Sequence, residues 1–115
     1  VQGGSNIIKL RGRSSFQSPA YNAVKMIEAA MGGEPFTLPA GCYVNCDKCG
    51  YKNVMMAMPS TIDKTGVHFT APTGTEEEMA SLNKSYEHLC KMRDEIVALG
   101  IVPAVEEWTK MNPNL

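Results

Sequence analysis

Three cysteines stand close together as Cys42-x-x-x-Cys46-x-x-Cys49. Radical S-adenosylmethionine enzymes hold a four-iron cluster with this spacing. Such a cluster also needs a site that admits its cofactor, normally the open end of a large α/β barrel, and 115 residues carrying one small sheet cannot build that barrel. Cys46-x-x-Cys49-Gly50 also has the form of half a zinc knuckle. Four-coordinate zinc needs a second ligand pair, and Cys42, His68, His88 and Cys90 do not supply one at a usable spacing. The preferred reading is therefore one strand cysteine and two turn cysteines, all reduced thiols, with no bridge and no metal. A small zinc or iron-sulfur module built on Cys42, Cys46 and Cys49 is the alternative.

The remaining polar candidates are weaker. His68 sits between Val67 and Phe69, and His88 between Glu87 and Leu89. Neither has a carboxylate or nucleophile at a spacing that would tune it as an acid or base, so both read as structural or surface histidines. Lys9-x-Arg11-x-Arg13 offers guanidinium forks suited to carboxylates or phosphates. A simpler account is that these cations complement the C-terminal end of a helix. The chain carries no Gly-x-Gly-x-x-Gly after a strand, no phosphate-binding loop and no nucleophile elbow. No residue in it reads as catalytic.

The elements around these residues follow from periodicity. Ile7, Ile8 and Leu10 before Gly12 predict the end of a short helix. So short a helix is marginal by itself, which suggests an element entered part-way. Ser18-Pro19 predicts an N-cap and first helical residue, and Ala20, Ala23, Val24, Ile27 and Met31 an apolar stripe ending at Gly32-Gly33. Cys42 to Asn45 and Tyr51 to Met58 read as strands joined by a tight turn, with Pro59 limiting the second. A third strand, Val67 to Thr70, follows the Asp63-Lys64-Thr65-Gly66 turn. Thr75 and Glu78 form a capping box for a long helix whose apolar face runs Met79, Leu82, Tyr86, Leu89, Met92, Ile96 and Leu99. Gly100 and Pro103 end it. The tail, with Val105, Trp108 and Met111, is too apolar to stay solvated and is expected to pack on something.

These elements make one α+β domain over residues 1–115, a small antiparallel sheet of about three strands covered by helices. Apolar residues at 43% and charged residues at 20% suit a folded domain and argue against disorder. Eleven basic against twelve acidic residues leave a net charge of −1, so no field favours nucleic acid or an anionic membrane. No apolar run reaches a membrane span and the first residues lack signal-peptide regions, which makes a cytoplasmic location the expectation.

Nearly the whole chain, read as a series of motifs, resembles the C-terminal half of malate and lactate dehydrogenases. Gly4-Ser-Asn-Ile-Ile-Lys-Leu10 and Arg11-Gly-Arg-Ser-Ser-Phe-Gln-Ser-Pro-Ala20 are similar to that family's opening helix and loop. Leu38-Pro-Ala-Gly-Cys-Tyr-Val44, Gly50-Tyr-Lys-Asn-Val54, Met58-Pro59 and Lys64-Thr-Gly-Val67 resemble its hairpin and third strand, and Glu76 to Leu99 its closing helix. The likeness leans toward bacterial malate dehydrogenases. Two features depart from it: the cysteine-bearing turn, and a tail that runs some fifteen residues past the closing helix.

The resemblance implies a parent oxidoreductase of the tricarboxylic acid cycle that interconverts malate and oxaloacetate by hydride transfer with NAD. The nucleotide-binding domain, the catalytic histidine and aspartate and the substrate-gripping arginines would come from upstream sequence. This part alone would be inactive and would bind no cofactor. It further implies a homo-oligomer, with Val105, Trp108 and Met111 as candidates for packing on a neighbouring subunit or on the missing domain. Within this chain the resemblance points to Ser14, then Ser15, against substrate or nicotinamide, with Pro19 lining the same pocket. Each serine hydroxyl could bind a carboxylate or carboxamide, or cap local backbone. A non-catalytic interaction domain is the further alternative.

Overall fold

In the hairpin at the centre of the chain, buried and exposed side chains alternate along both strands. Along β1 (Phe36–Cys46), Ala40, Cys42 and Val44 are buried while Gly41 and Asn45 are exposed. Along β2 (Tyr51–Asp63), Val54, Met56, Met58 and Ser60 are buried. Tyr51 is buried too, so the alternation slips by one residue at Lys52-Asn53. There Asn53 takes φ 53°, a left-handed conformation that asparagine tolerates better than most residues. The extra residue is a bulge in the strand.

The computed structural model describes residues 2–113. Its elements are α1 (Gly3–Arg11), α2 (Gln17–Ala30), β1, β2, β3 (Gly66–Phe69), α3 (Glu76–Ala98) and α4 (Val105–Met111), with the strands in one antiparallel sheet of order β1-β2-β3. The α+β class expected from the sequence is the one observed. Two compact units are distinguished, Val1–Thr37 with Thr61–His68, and Leu38–Ser60 with Phe69–Leu115.

The first unit holds α1, α2 and the β2–β3 turn. Gly12, left-handed at φ 69°, stops α1 as its sequence predicts, its N–H donating to Ile8 O at 2.8 Å. The start of α2 differs from the prediction. Phe16 precedes the helix and makes no side-chain cap, so Pro19 is the third helical residue and not the first. The missing N–H costs nothing there, because the first intrahelical donor is the next residue, Ala20, bonded to Phe16 O at 3.0 Å. In the apolar stripe of α2, Val24, Ile27 and Met31 are exposed, and the residue the helix buries is Ala29.

The second unit holds the core. Cys42, Val44, Tyr51, Val54, Met56 and Met58 form one buried cluster, against which Leu82, Tyr86 and Leu89 of α3 pack. Thr75 caps α3, accepting from the Glu78 amide at 3.3 Å, while the Glu78 carboxylate accepts from the Thr75 N–H at 2.8 Å. These bonds to Thr75, that of its N–H first, hold the Glu78 carboxyl below its ordinary range. The packed face of α3 agrees with the predicted stripe through Leu89 and then departs. Arg93 and Val97 turn inward while Met92, Ile96 and Leu99 are exposed, because a straight helix of 3.6 residues per turn carries a longer stripe off the contact.

Both strands outrun their predicted ends, and each contains a proline. Pro39 lies on an edge strand, where one side of the backbone needs no donor. Pro59 lies in the middle strand but beyond the reach of β3: its carbonyl accepts from Thr70, one residue past the end of β3, at 2.9 Å. The third strand is shifted by one residue from its predicted span.

The bulge is fastened by α3. Arg93 Nη1 donates to the carbonyls of Lys52 at 3.2 Å and Asn53 at 2.9 Å, and the Lys52 N–H donates to Tyr86 Oη at 3.1 Å. The Tyr43 hydroxyl donates to Asn53 Oδ1 at 2.6 Å. Replacing Arg93 by Ala leaves those carbonyls without their charged donor and should lower the unfolding free energy by about 1.5–3 kcal/mol. Urea titration reads this as a lower midpoint at unchanged slope, with Arg93→Lys intermediate, since an ammonium keeps a charged donor but loses the guanidinium nitrogens that bind Asp94.

Candidate functional site

The loop between α1 and α2 is where Ser14, Ser15 and Pro19 fall. It opens at the left-handed Gly12 and closes at Phe16, just before α2. Ser14 is exposed, and its Oγ makes one long contact of 3.5 Å to Ser15 O. Ser15 is half-buried and Pro19 exposed in the first turn of α2. The structure thus brings the three into one short segment and leaves the Ser14 hydroxyl largely uncommitted.

Two cations precede these serines along the chain. The Arg11 and Arg13 guanidinium carbons stand 5.6 Å and 5.3 Å from the centre of the Phe16 ring, within cation–π range. Arg11 Nη1 also donates to Gln17 Oε1 at 3.1 Å. Lys9 and Arg11 lie in the last turn of α1, as the dipole account requires, whereas Arg13 lies beyond it. Among the described residues neither guanidinium meets a carboxylate. The loop presents two positive groups and a hydroxyl on an exposed aromatic base, a surface suited to an anionic or amide-bearing ligand. Phe16 was legible as an aromatic between serine and glutamine, but nothing in the spacing predicted that both arginines would stack on it. An open groove of about 760 Å³ farther along α2, bounded by Tyr21, Lys25, Met31 and Phe36, includes none of the three site residues.

The cysteines behave differently from their prediction. Cys46 and Cys49 are joined by a disulfide across the β1–β2 turn, with Cα atoms 5.3 Å apart, which corrects the expectation of four reduced thiols. The tight turn closes both side chains onto each other, so neighbouring cysteines at this spacing pair without a longer framework. Cys42 is buried on β1 with its Sγ 3.8 Å from Met56 O and 3.9 Å from Ser60 Oγ, and Cys90 is a half-buried free thiol. Among the described residues no group of three cysteine, histidine or acidic side chains is placed to hold a metal.

His68 also has partners that the sequence reading missed. Its Nε2 lies 2.7 Å from Thr65 Oγ1 and 3.6 Å from Asp63 Oδ1. The Thr65 hydroxyl and amide both donate to Asp63 Oδ1. With that hydroxyl hydrogen committed to the carboxylate, Nε2 is the donor to Thr65 Oγ1, and the trio locks a turn instead of activating a nucleophile. The signal was present in the Asp-x-Thr spacing of a β-turn.

Trp108 settles part of the tail. Its ring lies 6.1 Å from that of Tyr43 and its Nε1 donates to Pro103 O at 2.8 Å, while Met111 stays exposed. The tryptophan packs within its own chain. Among the described residues no helix is long and apolar enough to cross a membrane.

The pattern that defines the lactate/malate dehydrogenase alpha/beta C-terminal domain matches residues 1–99. This chain belongs to that family. The match ends at Leu99, the C-cap of α3, so α4 lies beyond it. The chain is 33% identical over 88 residues to the malate dehydrogenase of Geobacillus kaustophilus, covering 75% of this chain and 28% of that protein. It is 30% identical over 98 residues to that of Sorangium cellulosum, covering 84% and 31%, and 32% identical over 88 residues to that of Anoxybacillus flavithermus, covering 75% and 28%. This dehydrogenase domain therefore spans less than a third of the length of these relatives. The aligned stretch favours the dehydrogenase reading over a metal module or an unrelated interaction domain.

In this domain the Asp63 carboxyl is held below its ordinary range, first by the Thr65 hydroxyl and then by the Thr65 amide. A depressed carboxyl contributes stability above its unfolded value, and that contribution is lost as pH falls through the folded one. Asp63→Asn should therefore melt lower than the unmutated protein at neutral pH, with the gap closing as pH falls below about 4. Thermal melts across that range test this, with equal acid slopes in both proteins as the contrary result.

Proposed function

We propose that this chain is the substrate-side C-terminal domain of an NAD-dependent malate dehydrogenase, working with a nucleotide-binding domain that precedes it in the complete enzyme. The malate dehydrogenase names of its relatives carry the reading. The α1–α2 loop supports it. Ser14 has an exposed hydroxyl with a single long contact, and Ser15 and Pro19 stand beside it.

An exposed serine hydroxyl fits either a nicotinamide carboxamide or a substrate carboxylate as donor. NAD, when bound, supplies the acceptor for the hydride leaving the alcohol carbon of malate. The residues of this chain orient and exclude. Ser14 donates to the ligand, Ser15 shapes the loop, Pro19 limits the pocket wall, and the preceding Arg11 and Arg13 bias the loop toward an anion. The groups that move the substrate proton and clamp both carboxylates belong to the rest of the enzyme, so the domain by itself is proposed to be inactive and cofactor-free.

The exposed stripes support a covered state. Val24, Ile27 and Met31 on α2, with Ile8 and Leu10 on α1, leave more apolar side chain in water than a solitary domain needs. We assign their cover to the nucleotide-binding domain or to a second subunit of a homo-oligomer, in a cytoplasmic enzyme.

Fusing this chain to the nucleotide-binding half of the Geobacillus kaustophilus protein should give oxaloacetate-dependent NADH oxidation, with pyruvate a poor substrate. The chain alone should show neither turnover nor calorimetric NAD binding. In the fusion, Ser14→Ala should reduce kcat/KM by about tenfold or more, the worth of a hydrogen bond to a charged or strongly polar group. Malate oxidation by the chain alone, or a fusion that prefers pyruvate, would overturn the proposal.

A further inference from the structure

We propose that the β1–β2 turn is a thiol–disulfide exchange site, in which Cys46 and Cys49 pass reversibly between disulfide and dithiol and Cys46 is the reactive sulfur. The pair closes a ring with a sequence separation of three, too short to remove much freedom from the unfolded chain. A bridge whose main use was to staple the fold would close a longer loop. The fold also does not depend on it, because the hairpin is already tied by Gly50 N–H bonds to Cys46 O at 3.1 Å and Asp47 O at 3.3 Å, and by the packing of Tyr51 and Tyr86 rings 4.9 Å apart.

The turn is reachable and polarised. Cys46 and Cys49 are half-exposed, and Asp47, Lys48 and Gly50 around them are exposed. The Cys49 N–H lies 3.1 Å from Cys46 Sγ, a donor that favours thiolate at Cys46 over Cys49 once the bond is open. Lys48 adds a cation inside the ring, while Asp47 is drawn into an ion pair with Lys52, which also holds the Asp47 carboxyl below its ordinary range. Cys42 is buried on β1 and cannot compete for the same partner.

The exchange partner is a low-molecular-weight thiol such as glutathione. In the reducing direction its thiolate attacks Cys46 Sγ, the Cys46–Cys49 bond breaks, and Cys49 leaves as thiolate and takes a proton. A second thiol then attacks the mixed disulfide, releasing oxidised glutathione and the Cys46 thiolate. Two electrons pass from two glutathione molecules to the protein. Oxidation runs the same steps backwards, with Cys46 attacking oxidised glutathione and Cys49 resolving the mixed disulfide.

The full chain, equilibrated in mixtures of reduced and oxidised glutathione, is unfolded under acid quench and its thiols counted by alkylation and mass spectrometry. The expected result is a reversible change between two and four thiols per chain, confined by peptide mapping to Cys46 and Cys49, with an unchanged near-ultraviolet dichroism spectrum. Cys49→Ser should trap glutathione on Cys46, and Cys46→Ser should react several-fold more slowly at Cys49. Four thiols in every mixture, two in every mixture, or loss of the folded spectrum on reduction would each overturn the proposal. So would stoichiometric zinc released on alkylation. The count on the unmutated chain decides the matter even if a serine variant misfolds.

Discussion

The fastening of the β2 bulge by α3 is the interaction on which the second unit depends. A bulge takes backbone groups out of the ladder, and each must find a partner or pay for its desolvation. Here Arg93 and Tyr86 serve three such groups, at Lys52 and Asn53, from one face of one helix. The same residues set the register of β2 against that helix. Tyr51, just before the bulge, is buried and donates to Asn83 Oδ1 at 2.8 Å, and Val54, just after it, is buried as well. In a regular strand over these same residues, Val54, Met56 and Met58 would turn to the face opposite Tyr51.

That register explains why a core rich in sulfur suffices. Met56 and Met58 are unbranched and fill irregular space between the sheet and α3, with Cys42 behaving as a small apolar residue beside them. Among the described residues no buried side-chain nitrogen or oxygen lacks a partner. Ser60, the buried polar residue, returns its hydroxyl to Met58 O at 2.8 Å. The first unit contrasts with this. Its helices bury one residue, Ala29, and carry their larger apolar side chains in the open, as befits a domain that belongs to a family of larger enzymes.

Much of this was readable beforehand. The Gly12 stop, the Thr75–Glu78 capping box, both tight turns and the long third helix follow from local chemistry within a few residues, and they were found where periodicity put them. The strands outrun the ends their sequence predicts because proline reads as a breaker locally, while its tolerance depends on which neighbouring strand needs its N–H. The stripe of α2 is legible as apolar, but its larger residues are exposed, since amphipathicity says that a face wants cover and not what supplies it. Ser14, Ser15 and Pro19 of the candidate loop are neighbours along the chain, whereas the stacking of Arg11 and Arg13 on Phe16 depends on how the chain turns after Gly12.

By itself the sequence determined the α+β class, the order of the elements, the caps and turns, and the likeness to the lactate/malate dehydrogenase C-terminal domain. These rest on interactions between residues a few positions apart, or on motifs in series. Only the tertiary structure decided the bulge and its arginine fastening across 40 residues, the departure of α3's contact face after Leu89, the pairing of Cys46 with Cys49, and the seat of Trp108 on Tyr43. The physical reason is the same in each case. A hydrogen bond, a ring contact or a sulfur bond forms according to distance in space, and spacing along the chain fixes that distance only where the backbone between the partners is already regular.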